Sequence, residues 1–281
     1  MRVLFIVKNH SRNIQICLEF VKKIKNIKTE LILMPGDSLL PSPPEYLSLN
    51  LKKLWKLHFS KRYDFEKLYF DDDLENIKLS INNFIKIQNY DFEICEYLEK
   101  NRFDICFVSG VKIIPSKVLK LLPLYTINFH LGFIPYYKGT ITTFWPFYFL
   151  EPHMLATTFH VIDEKVDCGE IIEINFPKLI KSDSLHESSC KAIINGQLNI
   201  DKIYRHCLNR IENKKTPSKN SELYYQGKMF RNKDWKPEML QFIYEVHKDE
   251  IVKNFYNPQL IKGLNYTEVN EKYEKEKKTI S

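Results

Sequence analysis

Glycine is scarce in this 281-residue sequence: only 8 glycines occur, and none precedes Gly36. Neither the GxGxxG pattern of dinucleotide-binding enzymes nor the GxxxxGK[ST] pattern of P-loop enzymes is present. Both patterns depend on glycine because the backbone must approach a phosphate closely. The sequence therefore excludes these two nucleotide-binding loops.

Metal and thiol patterns are also missing. The 6 cysteines include no CxxC pair, which argues against a zinc ribbon or a redox motif. His153, His160 and His186 do not have the spacing of metal ligands, so no metal is predicted. The acidic run Asp71-Asp72-Asp73 lacks spaced carboxylates and is interpreted as a solvated loop.

Long hydrophobic runs are absent. None approaches the roughly 20 apolar residues that a membrane-spanning helix needs. The apolar start at residues 1–7 is too short for a signal peptide, and polar residues follow it at once. We therefore expect a cytoplasmic protein with no membrane partner.

The sequence has enough hydrophobic residues, 44%, for a globular core, and its length suits one α/β domain with a smaller appendage. Its net charge is +7. Dispersed lysines favour a solvated basic surface, and an anionic ligand is the alternative. No nucleic-acid partner is predicted.

Hydrophobic runs alternate with helical patterns from the start of the chain. Residues 2–7 form a continuous apolar run, residues 13–24 have helical spacing, and residues 31–34 form a second apolar run. This β-α-β order predicts parallel strands with right-handed crossovers. Further strands are predicted at 84–87, 103–108, 126–129, 156–162 and 170–176, and helices at 89–100, 116–121, 141–150, 186–212 and 238–254.

The predicted fold class is therefore α/β. It is a doubly wound, mainly parallel, Rossmann-like sheet, followed by a smaller and largely helical C-terminal region. We assign residues 1–181 to the catalytic domain, with an insertion at about 37–79, and residues 182–281 to the accessory region.

One segment carries candidate chemistry. Asn128 and His130 lie two residues apart at the end of a predicted strand, so their side chains share one face of the sheet. An amide can stabilise an oxyanion and an imidazole can move a proton, which suits acyl transfer. Asp167, in a later turn, is the candidate to orient the imidazole, and Asp163 is a second candidate.

This combination of Asn128-Phe129-His130 with Asp167-Cys168-Gly169-Glu170 resembles the folate-dependent formyltransferase family. The resemblance is strong over about 104–172 and loose after Phe176. It implies a Rossmann-like N-formyltransferase in which Asn128, His130 and Asp167 are catalytic. Two departures are that Cys168 stands where the family commonly has Thr, and Leu131-Gly132 where it often has Pro-Ser.

The resemblance also implies binding residues. The formyl donor, N10-formyltetrahydrofolate, is expected to contact Ser109, Gly110, Val111, Lys112, Ile114 and Asp163. From the residues alone, 109–115 is better explained as an ordinary strand-to-helix connection. The expected substrate-binding residues are Asn9, Ser11, Arg12, Tyr136, Lys138, Gly139 and Trp145; the first three precede or open a helix whose N-terminus would attract phosphate.

The likeness to the sugar-nucleotide branch implies that the substrate is a nucleotide-linked amino sugar. Methionyl-tRNA formyltransferase is one alternative, disfavoured because the C-terminal region reads as helical and not as a β-barrel. A formyl-folate hydrolase or a non-catalytic folate-binding protein is another. A homodimer is also expected.

Overall fold

The computed structural model describes residues 1–70, 74–90, 92–218 and 227–261. The acidic run at 71–73 and the lysine-rich end beyond 261 lie outside these residues. The strands are β1 (Arg2–Lys8), β2 (Lys28–Met34), β3 (Asn83–Lys86), β4 (Ile105–Ser109), β5 (Tyr125–His130), β6 (Tyr137–Gly139), β7 (Thr157–Val161), β8 (Ile171–Asn175) and β9 (Lys228–Phe230).

The α-helices lie between and after these strands. They are α1 (Ser11–Lys23), α2 (Leu49–Tyr69), α3 (Leu74–Ser80), α4 (Phe92–Lys100), α5 (Ser116–Leu119), α6 (Trp145–Tyr148), α7 (Leu185–Gln197), α8 (Ile200–Glu212), α9 (Met239–Gln241) and α10 (Ile251–Phe255). No helix among the described residues has the length and apolar character to cross a membrane.

A seven-stranded sheet in the order β3-β2-β1-β4-β5-β7-β8 forms the centre. The strands from β3 to β5 are parallel, whereas β7 runs antiparallel to both β5 and β8. The order reverses between β1 and β4, which is where open α/β sheets bind ligands at their carboxyl edge. The predicted mainly parallel, Rossmann-like sheet is confirmed.

Alternate residues of each parallel strand enter different cores, because successive side chains point to opposite faces. Val3, Phe5 and Val7 of β1 pack with α1, α7 and α8, while Leu4 and Ile6 pack with α4 and α5. Burial on both faces explains why these strands appear in the sequence as unbroken apolar runs.

The region 37–79 is a crossover between the neighbouring strands β2 and β3. Its main element, α2, begins at the capping residue Ser48 and reaches over to α7 and α9. Leu54 of α2 shares a core with Phe144, Leu185 and Leu240. The crossover and the C-terminal region are therefore packed together.

Two predicted helices are shorter than expected. Residues 141–150 form a single helical turn, α6, because Ile141 and Leu150 have positive φ angles of 58° and 59°. Residues 238–254 are divided into α9, a π-helical segment (Phe242–Val246) and α10, separated where Lys248 and Asp249 have positive φ. The C-terminal region is nevertheless largely helical, as predicted.

Candidate active site

Strand β5 divides its side chains between the core and the candidate site. Phe129 lies in the core with its neighbour Phe159 on β7, at a ring-centroid distance of 4.7 Å. Asn128 and His130, two residues apart, occupy the opposite face. In the register of β5 with β7, Asn128 pairs with His160 and His130 with Thr158, so these side chains share that face.

His130 is held between a backbone carbonyl and a carboxylate. Its Nε2 lies 2.9 Å from the carbonyl oxygen of Tyr137, and its Nδ1 lies 3.6 Å from Oδ2 of Asp167. Because a carbonyl only accepts, Nε2 carries a proton in this geometry. Protonation of Nδ1 then produces an imidazolium that faces the Asp167 carboxylate.

Burial dominates the charge state of this pair. Removal from water lowers the pKa of His130 below its ordinary value of 6.5, although Asp167 raises it in part. Burial alone would raise the pKa of Asp167, but His130, His160 and a backbone amide hold that pKa far below its ordinary value.

Asp167 is positioned by a tight turn. Its φ is 52°, and its Oδ2 accepts a 2.7 Å hydrogen bond from the amide of Gly139. Two residues later, a Cβ on Gly169 would lie 1.9 Å from the carbonyl oxygen of Val161, so only glycine fits there. The Asp-Cys-Gly sequence therefore folds back against β7 and brings the carboxylate to His130.

His160 is a further member of the cluster that the sequence interpretation missed. Its Nε2 lies 3.0 Å from Nδ2 of Asn128 and 3.5 Å from Oδ1 of Asp167, and its Nδ1 lies 2.9 Å from the carbonyl of Val161. In the neutral tautomer that donates to Val161, Nε2 accepts one amide proton of Asn128. The Asn128 amide has a second proton, which this contact with His160 does not use.

The expected folate-binding residues lie where β4 ends. Ser109 is fully buried and its hydroxyl donates to Oδ1 of Asn13, at 3.2 Å, so it can offer a ligand only backbone groups. Gly110 has a φ of 68°, and a Cβ there would lie 2.6 Å from Nδ2 of Asn13. Val111 and Ile114 pack on the apolar core below, and Lys112 is exposed.

Asp163 is not part of the candidate cluster. It is half-buried in the turn before Asp167, and its Oδ1 accepts a 2.6 Å bond from the amide of Glu164. Its neighbour Ile162 packs with Val111 and Ile114 against the core under β4. Val111, Ile114 and Ile162 therefore belong to one partly buried apolar cluster beside the loop.

The expected phosphate-binding residues surround the first turn of α1. Asn9 is exposed, Ser11 is the first helical residue, and the Arg12 guanidinium pairs with Glu66 of α2. Nε of Arg62 lies 3.6 Å from the same carboxylate. One carboxylate thus faces two guanidinium groups at the end of the sheet that carries the site.

The remaining expected substrate residues have different environments. Tyr136 is partly exposed, whereas Lys138 is buried in β6 beside Gly139. Trp145 is 2% exposed, its indole N–H donates 2.9 Å to the carbonyl of Thr140, and its ring stacks on Phe230 at 4.4 Å. Trp145 therefore has the contacts of a core residue.

No group of three or more His, Cys, Asp or Glu side chains within the described residues is arranged to hold a metal ion. The candidate cluster consists of an amide, two imidazoles and a carboxylate.

Several solved structures are similar to this chain in fold. A sugar N-formyltransferase from Shewanella sp. FDAARGOS_354 matches with a TM-score of 0.53 and 14% identity over 83% of this chain and 78% of its own. The N-formyltransferase from Helicobacter canadensis, solved with folinic acid and dTDP-3-aminofucose, matches with a TM-score of 0.53 and 18% identity, covering 88% and 82%. Phosphoribosylglycinamide formyltransferase from Anaplasma phagocytophilum matches with 0.50 and 15%, covering 83% and 98%.

At these identities the likeness establishes a common fold. No curated protein sequence matches the chain significantly. Residues 73–192, which include β5, β7 and the turn at Asp167, match the family model described as formyl transferase. This segment contains all four side chains of the cluster, and the chain has the fold of solved formyltransferases.

Proposed function

We propose that this protein transfers the formyl group of N10-formyltetrahydrofolate to the amine of a nucleotide-linked amino sugar. The observation that carries the proposal is the geometry of the cluster. A neutral, buried His130 faces the Asp167 carboxylate at 3.6 Å, and the Asn128 amide lies on the same face of the sheet.

Each side chain has a role in the transfer. The bound folate supplies the formyl group. His130 accepts a proton from the attacking amine, because burial keeps its imidazole neutral at pH 7. Asp167 stabilises the imidazolium so formed, and its own depressed pKa keeps it ionised throughout. The imidazolium then gives its proton to N10 of the folate as the bond between N10 and the formyl carbon breaks.

Asn128 stabilises the oxyanion. One of its amide protons is directed to His160 at 3.0 Å, which fixes the orientation of the amide and leaves the other proton for the developing charge on the formyl oxygen. His160 is therefore a positioning residue, which acts through Asn128.

The folate is proposed to lie over the end of β4. Backbone groups of Ser109, Gly110 and Lys112 would meet the polar edge of the pterin, while Val111 and Ile114 provide an apolar floor. Asp163 would contribute from the turn on the other side.

The amino-sugar assignment is supported by the charge at the first turn of α1. Arg12 and Arg62 share Glu66, so the loop keeps a positive excess beside a helix N-terminus, which suits a diphosphate. The Helicobacter canadensis enzyme, which shares the fold, was solved with a dTDP-linked amino sugar. Asn9 and Ser11 would bind the phosphates, and Tyr136 the sugar or base.

The tRNA alternative makes a different demand on the C-terminal region. Between 176 and 261, the described residues contain helices and one three-residue strand, β9, and no barrel. With this architecture we propose residues 1–181 as the catalytic part, residues 182–281 as an accessory part that could support a homodimer, and a cytoplasmic location.

The test is an acceptor panel. The protein is incubated with formyl-folate and a set of nucleotide-linked amino sugars, and mass spectrometry detects the gain of one formyl group; His130→Ala is the control. Formylation of methionyl-tRNA with a steep salt dependence would select the tRNA alternative instead. Release of formate without any acceptor would indicate a hydrolase.

A further inference from the structure

We infer that β9 (Lys228–Phe230) is a positioning element of the active site. It lies outside residues 73–192, which match the family model. It pairs with β6, and β6 binds both His130 and Asp167. The kinetic part of this inference depends on the proposed function, whereas the structural part does not.

Strand β6 is the common support of the catalytic pair. The carbonyl of Tyr137 lies 2.9 Å from Nε2 of His130, and the amide of Gly139 donates to Oδ2 of Asp167 at 2.7 Å. The first contact selects which imidazole nitrogen carries the proton, and the second helps to keep Asp167 ionised. A shift of β6 would change both.

Strand β9 fixes β6 in place. The two strands are parallel, with Tyr137 opposite Lys228 and Gly139 opposite Phe230. The amide of Lys228 donates to the carbonyl of Tyr136 at 3.0 Å, and the amide of Thr140 donates to the carbonyl of Phe230 at 2.9 Å. Two strands of three residues are too short to be stable alone, so packing must hold them together.

That packing is provided by Phe230, which is 2% exposed. Its ring stacks on Trp145 at a centroid distance of 4.4 Å and an angle of 17°, and on Tyr137 at 5.9 Å and 16°. Trp145 in turn donates to the carbonyl of Thr140, directly after β6. Phe230 thus lies between the strand it supports and the core.

The backbones around β6 and β9 approach each other so closely that two positions have no room for a side chain. Gly139 has a φ of 92°, and a Cβ there would lie 2.0 Å from the carbonyl oxygen of Phe230. Gly227 has a φ of 69°, and a Cβ there would lie 2.2 Å from the carbonyl oxygen of Pro135. Because the backbones are this close at both glycines, β6 has little room to move unless β9 moves with it.

The test compares Phe230→Ala with Phe230→Leu and with Phe20→Ala. Phe20 is also fully buried, but it packs on Phe5 and Phe107 across the opposite face of the sheet. Two readouts are used: steady-state kinetics, and the imidazole ¹⁵N resonances of His130, assigned with His130→Gln.

For Phe230→Ala we expect kcat to fall about tenfold or more with a nearly unchanged KM, since a small misplacement of catalytic groups is costly. The His130 resonances and their titration should shift. Phe230→Leu should restore part of kcat and bring the His130 resonances closer to those of the wild type. Phe20→Ala should change neither readout, although it should destabilise the protein to a similar degree.

The inference is wrong if folded Phe230→Ala retains wild-type kcat and wild-type His130 resonances. It is equally wrong if Phe20→Ala reproduces both changes, because the effect would then be general destabilisation. If the wild-type protein transfers no formyl group, the proposed function fails, but the resonances of His130 still decide whether β9 positions it.

Discussion

At the scale of single residues, His130 is subject to two opposing influences. Burial lowers its pKa, and Asp167 raises it, with the net change downward. A base needs the first effect to be neutral at pH 7 and the second to bind the proton that it accepts. Both effects follow from the position of Asp167 against a buried face of β5.

These influences predict the titration of His130. Its midpoint should lie below 6.5, and Asp167→Asn should lower it further, because the substitution removes the charge that favours the imidazolium. Imidazole ¹⁵N shifts followed from pH 4 to 8 measure both midpoints. An increase in the Asp167→Asn midpoint would show that the carboxylate does not act on His130 in this way.

Turnover should depend on the three proposed catalytic residues as a unit. Asn128→Ala removes an oxyanion donor, which costs on the order of a hundredfold in kcat in comparable sites. His130→Ala and Asp167→Asn should also reduce kcat far more than they raise KM, and double variants should lose less than the product of the single losses. Steady-state kinetics on folded variants measures this.

Cys168→Thr provides the matched control, one residue from Asp167. The Cys168 Sγ lies 3.0 Å from the carbonyl of Val166, and a Thr hydroxyl can donate to the same oxygen. This variant should be nearly silent. Near-normal turnover of His130→Ala, by contrast, would contradict the catalytic assignment.

Sequence alone located Asn128, His130 and Asp167 but not His160. The first two share a strand, where spacing determines the face. The position of His160 depends on β7 running antiparallel to β5 in a register that sets it opposite Asn128. Pairing between distant strands leaves no local pattern, and for the same reason the burial of Trp145 beneath Phe230 could not be predicted.

At the scale of elements, the parallel strands were predictable because both faces are buried and the runs are continuous. The helix predicted at 141–150 was wrong beyond one turn, since the backbone has positive φ angles at Ile141 and Leu150. Residues 186–212 form two helices, α7 and α8, that meet at Leu198 and Asn199, where the sequence keeps a helical pattern.

Helix α7 depends on one glycine where it crosses the sheet. A Cβ on Gly196 would lie 2.3 Å from Oγ1 of Thr157 and 2.6 Å from Cε2 of Phe129. Gly196→Ala should therefore destabilise the protein by about 1–3 kcal/mol through overpacking, despite the better helix propensity of Ala. Urea unfolding measures the change, and a more stable Gly196→Ala would show that the helix can move away.

At the scale of the whole molecule, the crossover at 37–79, the loop that follows β5 and the C-terminal region share one core. Leu54, Phe133, Leu185, Leu240 and Ile251 all belong to it. The boundary proposed at 181 therefore marks no break in packing. Helical periodicity could not show the partners of α2, because Leu54 shares this core with residues as distant in the chain as Leu240.

Two buried histidines join the crossover to the C-terminal region. Nδ1 of His58, on α2, lies 2.9 Å from the hydroxyl of Tyr244 and 3.2 Å from Nε2 of His186 on α7. Burial and then Arg62 lower the pKa of His58 to about 3, and burial and then His58 lower the pKa of His186 well below 6.5. Lys61 and Arg12 add to the positive surroundings of His186.

This arrangement predicts a loss of stability in acid. Above pH 6.5 both imidazoles are neutral in the folded and the unfolded chain, so their contribution is intact. Below pH 6.5 the unfolded chain binds protons that the folded pair excludes, and by pH 5 His58 alone should cost about 2 kcal/mol. His186 acts in the same direction. The free energy of unfolding in urea, measured from pH 7.5 to 5, should fall steeply, and His58→Gln should flatten the slope because Gln has no proton to gain. An unchanged slope in His58→Gln would mean that the pair is already protonated in the folded protein, and that the contact between α2 and α7 is held in another way.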